Sequence, residues 1–295
     1  MKTTASVIKA GSDEVLTEGN WEHFNDAVPA NLKLIEGLWY SDPTNKSLLV
    51  MLIKGYGAYG FASKETIALK DILEEKSNSL KIDQVILTYE KAIFYGLKYL
   101  ELSGISENEF YDKSFSTKIS SEFSQKFNSE DHSAILYFAQ ALGSSINIQR
   151  QNVSKMAFLS HVKAMLSWVC QENPEIERGS CGLFNAVIEA STPTLLGGSQ
   201  RKAKIQFKKL IKKQPYNLLA RISYVQYHLI PLLEEEEFSV EMETLRKDIN
   251  IWYSYMKGSR NSRTKIYEKN RDFNLFNSIA KKKYSVLMKL RKDIF

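Results

Sequence analysis

The chain has 295 residues, 43% of them apolar, with only 14 glycines and 6 prolines. That is enough to bury a sizeable core, and too few turn-formers for a sandwich of many short strands. Net charge is +6, yet residues 246–295 hold 14 Lys/Arg against 4 Asp/Glu and residues 199–213 hold seven Lys/Arg and no acid, which leaves −11 for the remainder. No run of 18 apolar residues suits a membrane-spanning helix.

Residues 1–19 are small and polar and read as a loose leader or the start of a processed chain, with no secretory signal pattern at Met1. The rest reads as a single domain over 20–295. A helix is expected from about Ala30 to Tyr40, with Leu32, Ile35, Leu38 and Trp39 on one face. It ends at Asp42-Pro43, because a residue before proline avoids helical angles. Asn45 or Thr44 caps a second helix, Lys46 to about Ala62, and the two form a hairpin. Further helices follow at about Thr66–Lys76, Asp83–Leu102, Ser129–Ile146, Val153–Cys170 and Gly179–Ala190. The series continues at Gln200–Lys213, Leu218–Leu229, Glu234–Met256 and Asp272–Arg291. Gly104, Pro174, Gly197-Gly198 and Pro215 punctuate them, and 106–128 is polar with no clear period. The fold class is therefore all-α.

Gly55, Gly57 and Gly60 stand in the spacing G-x-G-x-x-G. Read as a dinucleotide cradle, they need a preceding strand, a following helix and an acid at the end of the next strand. Glu74 and Glu75 fit by count but sit within a helical stretch, and the run before Gly55 is rich in leucine. Read as helix, Leu48, Leu49, Leu52, Tyr56, Tyr59 and Gly60 continue one face, and the glycines allow close approach of neighbouring helices. The helical reading accounts for more residues. Ala203, Phe207, Leu210 and Pro215 follow the spacing of the second helix of a tetratricopeptide repeat, and Asn31, Ile35, Leu38 and Pro43 repeat it more weakly.

His23, His132, His161 and His228 are scattered, and neither a nucleophile elbow nor a His-x3-His pair occurs. Two cysteines, Cys170 and Cys181, are too few for a zinc site. They form a disulfide in an oxidising compartment or stand as two unrelated buried thiols. No cofactor, metal site or catalytic residue is expected.

The order of these motifs resembles the T component associated with tripartite ATP-independent periplasmic (TRAP) transporters, the TatT family. "ANLKLIEGLWYSDPTNKSLLVMLIKGYGAYGFA" is similar to that family's first hairpin, whose second helix carries the small-Tyr-small-small-Tyr pattern seen at Gly55-Tyr56-Gly57-Ala58-Tyr59. "YEKAIFYGLKYL" is similar to its next helix. "GLFNAVIEASTPTLLGGSQRKAKIQFKKLI" matches its Ala-Ser-x-Pro turn, Leu-Gly-Gly loop and small-x3-Phe helix at Ala190, Ser191, Pro193, Leu196, Gly197, Gly198, Ala203 and Phe207. The closing helix matches at Asn277, Ala280 and Phe295.

The resemblance implies a superhelical array of tetratricopeptide-like hairpins. It implies a non-enzymatic periplasmic component, attached by a lipid-bearing cysteine that does not stand in this sequence. The implied partners are a periplasmic solute-binding protein, a small organic ligand of carboxylate or amphipathic character passing through a conduit, and two further copies in a trimer; nucleic acid is not among them. On such a scaffold Tyr40, Tyr56, Tyr59 and Tyr95 supply rings with one polar tip, and Lys98, one turn past Tyr95, reaches an anion; these are the candidate ligand- or partner-binding residues. Gly197 and Gly198 form a structural loop and Ser199 caps the helix after it. The competing reading is a tetratricopeptide-like adaptor whose basic helices grip an acidic peptide or nucleic acid.

Overall fold

A computed structural model describes residues 12–295. Of the expected leader over 1–19, residues 1–11 lie outside the described residues, and Ser12–Thr17 form a 3-10 helix. No strand occurs among the described residues, and the all-α class stands. The dinucleotide reading falls with it: Gly55 and Gly57 lie within a helix, Lys46–Tyr59, and Gly60 opens a π turn that ends at Lys64.

The chain divides into two compact units, one of residues 26–184 and one of residues 12–25 with 185–295. In the first, α1 (Trp21–Ser41, begun in the other unit) is followed by α2 (Lys46–Tyr59) and α3 (Glu65–Leu73). Then come α4 (Leu80–Leu102), α5 (Glu107–Tyr111), α6 (Phe115–Lys126) and α7 (His132–Ile148). Finally come α8 (Val153–Met156), α9 (Leu159–Glu172) and the start of α10 (Ile176–Ser191). Asn45 and Ser79 accept from the backbone N–H three residues on, satisfying donors that a helix start leaves free. Leu48, Leu49, Leu52 and Ile53 of α2 are fully buried, and α2 packs against α4 and α7.

The glycine spacing serves that packing. A Cβ on Gly55 would stand 2.6 Å from Leu32, one on Gly57 2.9 Å from the Gln140 side chain, and one on Gly60 2.5 Å from the Tyr89 ring. Each glycine admits a side chain from a different helix: α1, α7 and α4.

The second unit holds α11 (Gln200–Lys213), α12 (Leu218–Tyr224) with a π turn at Val225–Leu229, and α13 (Glu235–Met256). It ends with α14 (Lys265–Lys269), a 3-10 turn (Arg271–Phe273) and α15 (Asn274–Ile294). Ala203, Phe207 and Leu210, the repeat-like positions, are buried as that spacing requires. Ser12–Thr17 packs on α15 and on Arg271–Phe273, and Asn274 donates 3.2 Å to the Thr17 carbonyl.

Several boundaries depart from the periodicity: α1 begins at Trp21, not at about Ala30, and carries Pro29 within it, and α6 forms in the stretch that showed no clear period. The helix expected over Val153–Cys170 breaks after Met156, which lets Phe158 lay its ring against Tyr111 and His161, 5.2 and 5.4 Å away. The helix expected to run to Leu229 loosens into a π turn, adding a residue to one turn and shifting the face that follows. Five-residue α14 was not foreseen, because so short a segment has no period to read.

Cys170 and Cys181 are joined, with Cα atoms 5.7 Å apart. The crosslink closes over Glu177, Arg178 and Gly179, which all have left-handed backbone angles (φ 47°, 62° and 77°). For two non-glycine residues such angles are strained.

Candidate functional site

Among the described residues no group of three His, Cys, Asp or Glu is placed to hold a metal, and no helix is long and apolar enough to cross a membrane. The most developed polar cluster lies in the first unit around a residue that the sequence did not single out. Glu36, on α1, accepts hydrogen bonds from Tyr56 of α2 and Tyr95 of α4, each at 2.8 Å. It also accepts from Lys33 at 2.6 Å and Lys91 at 3.0 Å. The Tyr56 and Tyr95 rings stack 5.9 Å apart, and Trp39 meets Tyr95 edge-on at 5.3 Å. Residues at 33, 36 and 39 fall on one face of α1, which is why a single helix supplies the carboxylate, one lysine and the indole.

Burial opposes ionisation of Glu36, but the hydrogen bonds from Lys33, Lys91, Tyr95 and Tyr56 outweigh it and hold the carboxyl down at about 2. Burial first, and the Glu36 carboxylate second, push both phenols upward. At neutral pH the glutamate is an anion and the tyrosines are donors. None of the three is poised to exchange a proton near neutrality, which general acid–base work requires. The cluster is suited to holding three helices in register and to presenting Lys33 and Lys91, both substantially exposed, at its rim.

The sequence-derived residues divide. Tyr56 and Tyr95 meet at Glu36. Tyr59, also buried, stands apart from that carboxylate, with Lys64 over its ring at 5.3 Å. Tyr40 is 84% exposed at the end of α1. Lys98 pairs with Glu101 at 2.8 Å on the surface of α4. Gly197 has φ 84°, a Cβ on Gly198 would collide with the Thr192 carbonyl at 1.9 Å, and Ser199 accepts from the Lys202 N–H.

The same chemistry recurs twice. Glu177 takes both its oxygens to Lys54, at 2.8 and 3.0 Å, and accepts from Ser133 at 2.9 Å. In the second unit Glu237 accepts from Tyr224 at 2.8 Å, Lys204 at 2.6 Å and Lys208 at 2.7 Å. Lys208 and Arg221 continue the network to Glu241. Burial again opposes ionisation of Glu237, and its lysine and tyrosine donors hold it at about 2. The sequence signal for these hubs was faint: Glu36 stands near Lys33, Glu237 ends a run of four glutamates and Glu177 lies in a left-handed turn, so none stood out as an interior acid.

Comparison with known proteins adds one finding. A family model described as TRAP transporter T-component matches residues 18–251. It spans the Glu36, Glu177 and Glu237 clusters and most of both units. No curated protein matches the chain.

Proposed function

Because the chain belongs to the TRAP transporter T-component family, we propose that it is a non-catalytic, exported subunit that docks the solute-binding protein of a TRAP uptake system and hands it a small organic ligand. The family match over residues 18–251 carries this reading. Two features support it. A Cys170–Cys181 crosslink suits an oxidising compartment, since cytosolic thiols are kept reduced. The Glu36 and Glu237 carboxyls titrate far from neutrality, as expected of a scaffold.

In this reading attachment is by a lipid anchor preceding the present sequence and the working assembly is a trimer with a ligand conduit. Tyr40 and Lys98, both exposed, are the predicted residues that meet a partner or an anionic ligand. Tyr56 and Tyr95 act one step back, by fixing Glu36 and through it the rim lysines; buried Tyr59 packs beside them in sequence. The test is co-purification from the native host, followed by titration with the solute-binding protein encoded alongside. Recovery of a stable complex, weakened at least about tenfold by Tyr40→Ala with Lys98→Glu, supports the reading; a tenfold change corresponds to about 1.4 kcal/mol. Absence of any complex with that protein overturns it. The adaptor reading, with an acidic peptide or nucleic acid as cargo, has no comparable observation behind it.

A further inference from the structure

The second unit bears a polybasic loop that the transport reading leaves unused. Between the end of α13 and the start of α15, residues 257–271 contain Lys257, Arg260, Arg263, Lys265, Lys269 and Arg271 against one acid, Glu268. All six cations are exposed. Arg260 lies 3.5 Å from Glu268 and over the Tyr255 ring at 4.5 Å. Among the described residues, Arg263, Lys265, Lys269 and Arg271 form no ion pair with a carboxylate. Uncompensated like charges within fifteen residues repel one another, so the loop gains from an external polyanion.

Apolar side chains are interleaved with these charges. Ile266 is 40% exposed on α14, and Met256 and Tyr253 are exposed at the end of α13. Tyr253 is flanked by Lys257 at 4.6 Å and Lys281 at 3.7 Å, which gives an aromatic ring between two ammonium groups. Cations with interspersed apolar and aromatic side chains match the headgroup region of a bilayer, where charge meets lipid phosphate and the apolar groups enter the acyl boundary.

The N-terminal segment reaches the same ground. A Cβ on Gly19 would stand 2.2 Å from the Met256 methyl, and Ser12–Thr17 packs on Arg271–Phe273. The acids there are engaged locally: Glu14 accepts from Thr17, Glu18 from the Asn20 N–H, and Glu22 pairs with Lys282 at 2.8 Å. Ser12–Thr17 therefore lies in this unit beside the basic loop.

We propose that the 257–271 loop, with Met256 and Ile266, is a docking face for an anionic phospholipid surface, holding this unit against the membrane to which the chain is tethered. The choice of lipid over other polyanions rests on the exported, anchored reading. The two fail separately: vesicle binding is measured without any solute-binding protein, and complex formation without any vesicle.

The experiment is sedimentation of the full 295-residue chain with vesicles of one part phosphatidylglycerol to two parts phosphatidylcholine, and with phosphatidylcholine alone. Expected is binding to the anionic vesicles only, falling as salt rises from about 0.05 to 0.5 M, because screening shortens the reach of surface charge. Arg263→Glu with Lys265→Glu and Lys269→Glu should weaken it about 100-fold, from roughly 1 kcal/mol per basic residue. Lys202→Glu with Lys209→Glu and Lys212→Glu, the same charge change on α11, should leave it within about threefold by the same arithmetic. If the loop reversal misfolds by circular dichroism, the triple Gln replacement serves instead. Wild-type chain that ignores anionic vesicles at low salt overturns the proposal, as does equal loss in both variants. So does loop-dependent binding to duplex DNA that matches or exceeds vesicle binding.

Discussion

Glu36 shows how one side chain can organise a unit. Its carboxyl is held at about 2, against an ordinary 4.5. A carboxyl with a depressed folded-state pKa stabilises the fold fully above its unfolded pKa, and that contribution is lost as pH falls through the folded value. The window is therefore about 4.5 down to 2, and Glu237 shares it. Discounted for the exposure of its lysines, Glu36 contributes about 2 kcal/mol at neutral pH. Glu36→Gln should lower urea stability by about that amount at pH 7, and the gap to wild type should narrow toward pH 2. A gap that stays constant with pH would mean the cluster is held by packing alone. Leu233 makes the opposite case. It holds φ 54° while 66% of it is exposed, so it bears a left-handed cost with little burial in return. Leu233→Gly is expected to raise stability by about 1 kcal/mol, read as a higher Tm.

Helices and their joints are where covalent and steric constraints act. Gly60 turns α2 into the π turn with no room for a methyl beside Tyr89, whose hydroxyl donates to Glu65 at 2.5 Å. Gly60→Ala should destabilise by about 1–3 kcal/mol through overpacking. A nucleotide cradle, by contrast, would show the damage as lost NADH binding with stability intact. The Cys170–Cys181 bridge links α9 to α10 across 11 positions. Replacing both with Ser should cost about 2–3 kcal/mol by releasing a short loop in the unfolded chain. Dithiothreitol should produce the same fall in Tm in the wild type and none in the double variant. The bridge also keeps the left-handed turn that delivers Glu177 to Lys54, so hydrogen exchange should rise at 176–181 first.

The whole molecule carries its charge unevenly: the basic excess lies in the second unit, over α11 and residues 246–295. Lys204 and Lys208 of α11 are absorbed by Glu237 and Glu241, so that helix is less available to a polyanion than its composition suggests. The 257–271 loop has one acid, Glu268, which pairs with Arg260, and at this scale its remaining cations make it the more effective surface. Helix content, the caps at Asn45 and Ser199, and the stop before Pro43 were legible in the sequence, whereas the cap at Ser79 was not foreseen. Each depends on residues within four positions of one another, and local geometry decides them. The glycine spacing was legible as packing for the same reason, and the order of motifs was enough to indicate the family. Joining Tyr56 to Tyr95 through Glu36, Lys54 to Glu177 through a left-handed turn, and Cys170 to Cys181 was decided only by tertiary structure. A buried carboxylate finds its donors wherever other helices bring them, and an unfolded sequence holds no record of which faces will meet.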